Sequence, residues 1–92
     1  MLRIGYIDED EAQQNSFYHA LKEYFDVVIF EITKETNKAN LVEDVFKSAL
    51  DVLVLDFRLD ENGLLDFNAN EIIEEIQKRN LYYPLIVFTS DE

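Results

Sequence analysis

The chain has no cysteine. That absence excludes a disulfide staple, a thiolate metal site and a thiol nucleophile. Glycine occurs only at Gly5 and Gly63. Two isolated glycines do not make a Gly-rich phosphate loop, so a nucleotide-binding site is not expected. Basic residues are scarce, eight against twenty acidic ones, for a formal charge of −12. Nucleic acid and anionic membrane surfaces both demand a basic face, so neither is an expected partner. No run approaches the ~20 apolar residues of a membrane span. The N-terminus, MLRIGYIDEDE, turns acidic at once and lacks a signal-peptide layout. Repeats, linkers and low-complexity tracts are missing too. The expectation is a soluble, cytoplasmic protein.

What remains is a regular alternation of apolar and amphipathic segments. Residues 1–92 make one small domain, long enough to bury roughly 60–65% of the surface its unfolded form exposes. LRIGYI (2–7) reads as a strand. A helix follows from about Glu11 to Tyr24, with Ala12, Phe17, Leu21 and Tyr24 near helical spacing and Asp10 as its N-cap. VVIFEI (27–32) is β-branched and aromatic, hence a strand. A second helix is expected over roughly 39–50, carrying Leu41, Val45, Phe46 and Ala49. DVLVLDF (51–57) lacks polar alternation and belongs in the middle of a sheet with helices on each side. DENGLLDFN (60–68) reads as a loop, and a third helix runs over about 69–79 with Asn80 as its stop. Pro84 opens LIVFT, a fourth strand. The order βαβαβαβ predicts an α/β fold with a parallel sheet and right-handed crossovers.

In such a sheet, ligands bind beyond the carboxyl ends of the strands, near the point where strand order reverses. The first strand ends in Asp8, Glu9 and Asp10, the third in Asp56, and the fourth in Thr89 and Ser90. If strands one, three and four are neighbours, these groups share one edge. Clustered carboxylates oppose each other's ionisation. A hard cation such as Mg²⁺ relieves this, taking oxygen ligands that often include only one or two carboxylates. A metal beside Asp56 would also offset charge on a phosphoryl group, and a carboxylate can itself be the nucleophile that receives one. The apolar run VLVL therefore ends on an aspartate that a metal and a phosphoryl donor can reach.

Three stretches resemble a response-regulator receiver domain, with the flavodoxin-like fold that implies. YIDED resembles the end of that family's first strand, where an acidic pair holds Mg²⁺; Asp8 and Glu9 match the pair. VLVLDFRL resembles the phospho-acceptor strand; Asp56 matches the acceptor, and Arg58 the position whose backbone carbonyl completes the metal site. VFTS resembles the fourth-strand ending, where Thr89 matches the hydroxyl that meets the phosphoryl group. The resemblance implies Mg²⁺ as cofactor. It also implies a sensor histidine kinase or phosphotransfer protein as partner, and signalling without enzymatic turnover.

The chain departs from that family in three ways. Asp60 stands where a proline is expected, and the loop after Asp56 runs longer than usual. The family's lysine at the end of a fifth strand has no counterpart, and neither do the last two helices. On this reading the receiver is truncated after its fourth strand, which becomes an exposed edge. Pairing of that edge with a second copy, or a longer-chain context, is the expectation. Two alternatives stand beside it. One is a degenerate receiver that acts through protein contacts without phosphorylation. The other is a Mg²⁺-dependent hydrolase using Asp8 as nucleophile with Asp10 two residues on. His19, opposite the apolar stripe of its helix, is expected at the surface, and Tyr82 and Tyr83 are expected to pack where the fourth strand begins.

Overall fold

Apolar runs become strands here, and the amphipathic segments between them become helices. The computed structural model describes residues 1–56 and 67–88. In chain order the elements are β1 (Arg3–Ile7), α1 (Glu11–Leu21), β2 (Asp26–Phe30), α2 (Lys38–Lys47), β3 (Val52–Asp56), α3 (Ala69–Arg79) and β4 (Leu85–Phe88). The four strands are parallel and ordered β2-β1-β3-β4. This is the α/β architecture expected from the alternation, and its order is that of a flavodoxin-like sheet over these strands. Among the described residues, no helix is long and apolar enough to cross a membrane.

Each helix starts on a side chain that satisfies orphan backbone donors. Asp10 Oδ1 accepts from the backbone N–H groups of Ala12 and Gln13. Asn37 caps α2 by accepting from Asn40 N. Asn68 and Glu71 form a reciprocal capping box at α3, an arrangement that satisfies two donors at once. Helix α3 occupies the expected 69–79, with Asn68, the last residue of the expected loop, as its N-cap, and Phe67 before it is buried in the core.

Strand alternation divides the core in two. On one face Ile7, Phe30, Leu53 and Leu55 pack against Leu41, Val42 and Val45 of α2 and Ile72 and Ile76 of α3. On the other, Ile4, Tyr6 and Val54 meet Phe17 and Leu21 of α1. Gly5 lets β1 approach the first of these layers closely. A Cβ there would run into Leu50 Cδ1 and lie 2.9 Å from Phe30 Cε2. At the amino ends of the strands, Arg3 draws several chain segments together. Its Nε pairs with Asp26 at 2.9 Å, and its guanidinium also donates to the Ser48 carbonyl at 2.6 Å. Its backbone N–H donates to Asp51 at 2.7 Å.

Three boundaries are shorter than the pattern suggests. Helix α1 stops at Leu21 and leaves Tyr24 exposed, because Phe25 turns back to pack on the α1 face of the sheet. Strand β2 ends at Phe30 and excludes Glu31 and Ile32. Helix α2 stops at Lys47, capped by Ser48, and Ala49 then adopts a left-handed φ of 52°. That conformation ends many helices and normally selects glycine. Asn80 ends α3 as expected, and His19 is exposed. The tyrosine pair divides: Tyr83 packs edge-on against Phe46, whereas Tyr82 is exposed.

Candidate functional site

Asp8 and Asp56 are the buried charged residues among those described, at 1% and 4% exposure. Strand pairing explains why they meet. Ile7 lies opposite Leu55 in the parallel β1–β3 ladder, so the next residue on each strand is an aspartate. Both follow the alternation that puts Tyr6 and Val54 toward α1. The strand order reverses between β1 and β3, so the pair sits at the topological switch point.

The Asp8 carboxylate is held from two sides. Tyr6 O–H donates to Oδ2 at 2.6 Å, and Asp10 N–H donates to Oδ1 at 3.0 Å. Gln14 of α1 donates to the Asp8 backbone carbonyl. Burial pushes the Asp8 carboxyl above its ordinary value of 3.8. The two hydrogen bonds oppose that shift, while the charges of Asp56 and Asp10 add to it. Burial, the bond to Asp8 and the nearby carboxylates all raise the Tyr6 phenol as well. It therefore stays a neutral donor.

Tyr6 is also enclosed by aromatic neighbours. Its ring stacks on Phe17 of α1 at 4.1 Å and 5°, and lies 6.0 Å from Phe88 of β4 at 16°. Phe88 is the register partner of Asp56. One tyrosine thus joins the carboxylate pair to α1 and to the end of β4. Sequence reading passed over it, although the i, i+2 spacing of Tyr6 and Asp8 on a strand was the signal.

The remaining expected site residues distribute unevenly. Glu9 is half-buried, with one carboxylate oxygen enclosed, and lines a groove with Gln14, Asn15, Ile32 and Thr33. That groove lies between α1 and the end of β2, on the other side of β1 from Asp56. Asp10 is committed to the α1 N-terminus. Arg58 and Thr89, with Asp60, Gly63 and Ser90, lie outside the described residues. A wider groove of about 560 Å³ runs between β2 and α2 past Phe30, Asn40 and Asp44. Neither buried carboxylate lines it.

The donor set suits a small hard cation. Asp8 and Asp56 offer carboxylate oxygens on adjacent strands, and the charge of Asp56 opposes ionisation of Asp8. Among the described residues, no group of three or more His, Cys, Asp or Glu gathers as a ready-made metal cage. Mg²⁺ does not require one, because it usually keeps several waters and binds through one or two carboxylates. The pair therefore fits Mg²⁺ better than it fits a metal that needs an all-protein shell. Comparison with protein-family models, with curated proteins and with solved structures found no match to the chain.

Proposed function

We propose that the chain is a receiver-like signalling module that accepts a phosphoryl group on Asp56. The observation that carries this reading is the burial of Asp8 and Asp56 side by side at the carboxyl ends of β1 and β3. Two neighbouring carboxylates at a switch point oppose each other's ionisation, which a bound cation would relieve. Asp8 would hold Mg²⁺ together with Asp56, and the resemblance adds Glu9 and the Arg58 carbonyl. When bound, Mg²⁺ offsets the charge on the transferring phosphoryl oxygens. An Asp56 carboxylate oxygen attacks phosphorus, forming an O–P bond. The bond from phosphorus to the donor histidine nitrogen breaks, and the imidazole leaves with the electron pair. The partner is then a phosphohistidine-bearing kinase or phosphotransfer protein, and Thr89 would hydrogen-bond the transferred group.

The alternative of a hydrolase built on Asp8 and Asp10 has less support. Asp10 spends its carboxylate on the helix N-terminus, and both Asp8 oxygens already accept hydrogen bonds. A phosphorylation-independent interaction module remains the second reading, for which the exposed Ile86 and Val87 of β4 offer a contact surface. On either reading the β4 edge is the surface for a second copy. Ile86 and Val87 are 54% and 40% exposed there. A charge of −12 opposes self-association, so sedimentation should show more dimer at high salt than at low.

The deciding experiment is intact mass after incubation with acetyl phosphate, with and without Mg²⁺. A Mg²⁺-dependent gain of one phosphoryl group, lost in Asp56→Asn, is the expected result. No gain by folded protein would favour the interaction module.

A further inference from the structure

Strand β2 has an open outer edge: among the described residues it pairs with β1 alone. The backbone N–H of Asp26 donates to the Leu2 carbonyl at 2.9 Å. Alternate residues of a strand turn their N–H and C=O groups to opposite sides. Asp26, Val28 and Phe30 therefore face β1, while Val27 and Ile29 present donors and acceptors to the outer edge. Protein edges are commonly blunted by lysine, proline or a bulge. DVVIF has no lysine or proline and runs in unbroken register with β1. Its one carboxylate, Asp26, is paired with Arg3.

Two hollows flank this edge, one on each face of the sheet. The groove of about 560 Å³ on the α2 face is lined by the buried Phe30 and Leu41 together with Glu35 and Asp44. The groove of about 500 Å³ on the α1 face is lined by Tyr18 and Ile32 together with Glu11. Ile29 and Glu31 line both. Side chains of an added strand would alternate between the faces, entering one hollow and then the other. Glu11, Glu31, Glu35 and Asp44 are all exposed there, and Lys47 is the one basic residue among the described lining.

We propose that the β2 edge captures an extended basic segment of a partner protein, which adds to the sheet as a fifth strand. Main-chain hydrogen bonds to Val27 and Ile29 would supply affinity, and the two hollows would select alternate side chains. Lysine and arginine suit both hollows, because their apolar stems can lie on Phe30, Leu41 or Ile32 while their charges meet the acids. Charge decides the occupant. A second copy of this chain would bring a charge of −12 to an edge already lined with acid, and like charges brought together are costly. The inference does not depend on Asp56 or on a metal.

The test is an NMR titration of the full chain with the blocked peptide Lys-Lys-Val-Val-Lys-Lys, beside its glutamate counterpart Glu-Glu-Val-Val-Glu-Glu. Amide hydrogen exchange is read at Val27 and Ile29, with Val28 as the inward-facing reference. In the free chain Val27 and Ile29 should exchange faster than Val28. Saturating lysine peptide should slow both about tenfold or more and change Val28 much less, whereas the glutamate peptide should have no effect. Glu31→Lys should weaken the lysine peptide about three- to tenfold. Glu74→Lys, an equal charge change on α3, should weaken it much less. Several results would overturn the proposal. One is no binding of the lysine peptide by folded protein, or binding that leaves Val27 and Ile29 exchange unchanged. Another is equal binding of the two peptides, or equal losses in Glu31→Lys and Glu74→Lys. A third is protection of Val27 and Ile29 that rises with protein concentration without peptide, which would assign the edge to a second copy.

Discussion

The two faces of the sheet do different work. Among the described residues, the α2/α3 face gathers eleven buried side chains into one cluster, while the α1 face gathers three. The thick face is mostly aliphatic, with Phe30 and Phe67 among its buried side chains, and is closed by two helices. The thin face relies on one helix whose own residues are at most half-buried, and on the stack of Phe17, Tyr6 and Phe88. Strand alternation assigns Ile7 and Leu55 to the first and Asp8 and Asp56, one residue later, to the second. Stability is thus concentrated away from the carboxylates. The side that carries the buried carboxylates is the side with fewer buried apolar residues.

Core truncations should break or sharpen this contrast most strongly. Ile76→Ala, on the thick face, is expected to cost about 2–5 kcal/mol. Leu21→Ala, on α1, should cost only about 1 kcal/mol, since Leu21 is half-buried. Urea denaturation of both variants measures the difference, and equal losses would mean that the faces contribute alike. Gly5→Ala probes how tightly the thick layer meets β1. Overpacking against Leu50 and Phe30 should destabilise by about 1–3 kcal/mol in the same assay.

The thin face should reveal itself through pH. A folded-state carboxyl held above its ordinary value means the folded chain binds that proton more tightly than the unfolded chain does. The Asp8 contribution is therefore fully present below 3.8 and is lost as pH rises through its raised value. Thermal denaturation of metal-free protein should show stability falling on this account as pH rises above 3.8 and through the raised Asp8 value. Mg²⁺ should reduce the fall, and Asp8→Asn should flatten part of it. A smaller effect is expected at the end of α2. Ala49 holds a left-handed φ of 52°, so Ala49→Gly should raise stability by about 0.5–1 kcal/mol, read as a higher Tm.

Much of this organisation was legible before any coordinates. Unbroken apolar runs such as VLVL and LIVF announce strands buried in a parallel sheet, and three carboxyl ends pointed to neighbouring β1, β3 and β4. The ends of elements were harder, because they depend on tertiary contacts. Phe25 turns in to the core and stops α1 early, and Ala49 takes a conformation that its side chain gives no reason to expect. The Asn68–Glu71 capping box was readable from its spacing and overlooked. At the site, the meeting of Asp8 and Asp56 followed from strand order. The bond from Tyr6 to Asp8 needed the face that each side chain occupies, and hydropathy assigns tyrosine only to the core. Arg58 and Thr89 rest on resemblance alone, outside the described residues.

The central claim is that Asp8 and Asp56 act as one site. The most direct measurement follows the carboxylate carbon signals of both residues by ¹³C NMR while Mg²⁺ is added. The account predicts that the two signals move together along one binding curve, ahead of the surface carboxylates. Signals that stay still, or that shift only in step with exposed residues such as Glu11 and Glu35, would contradict it.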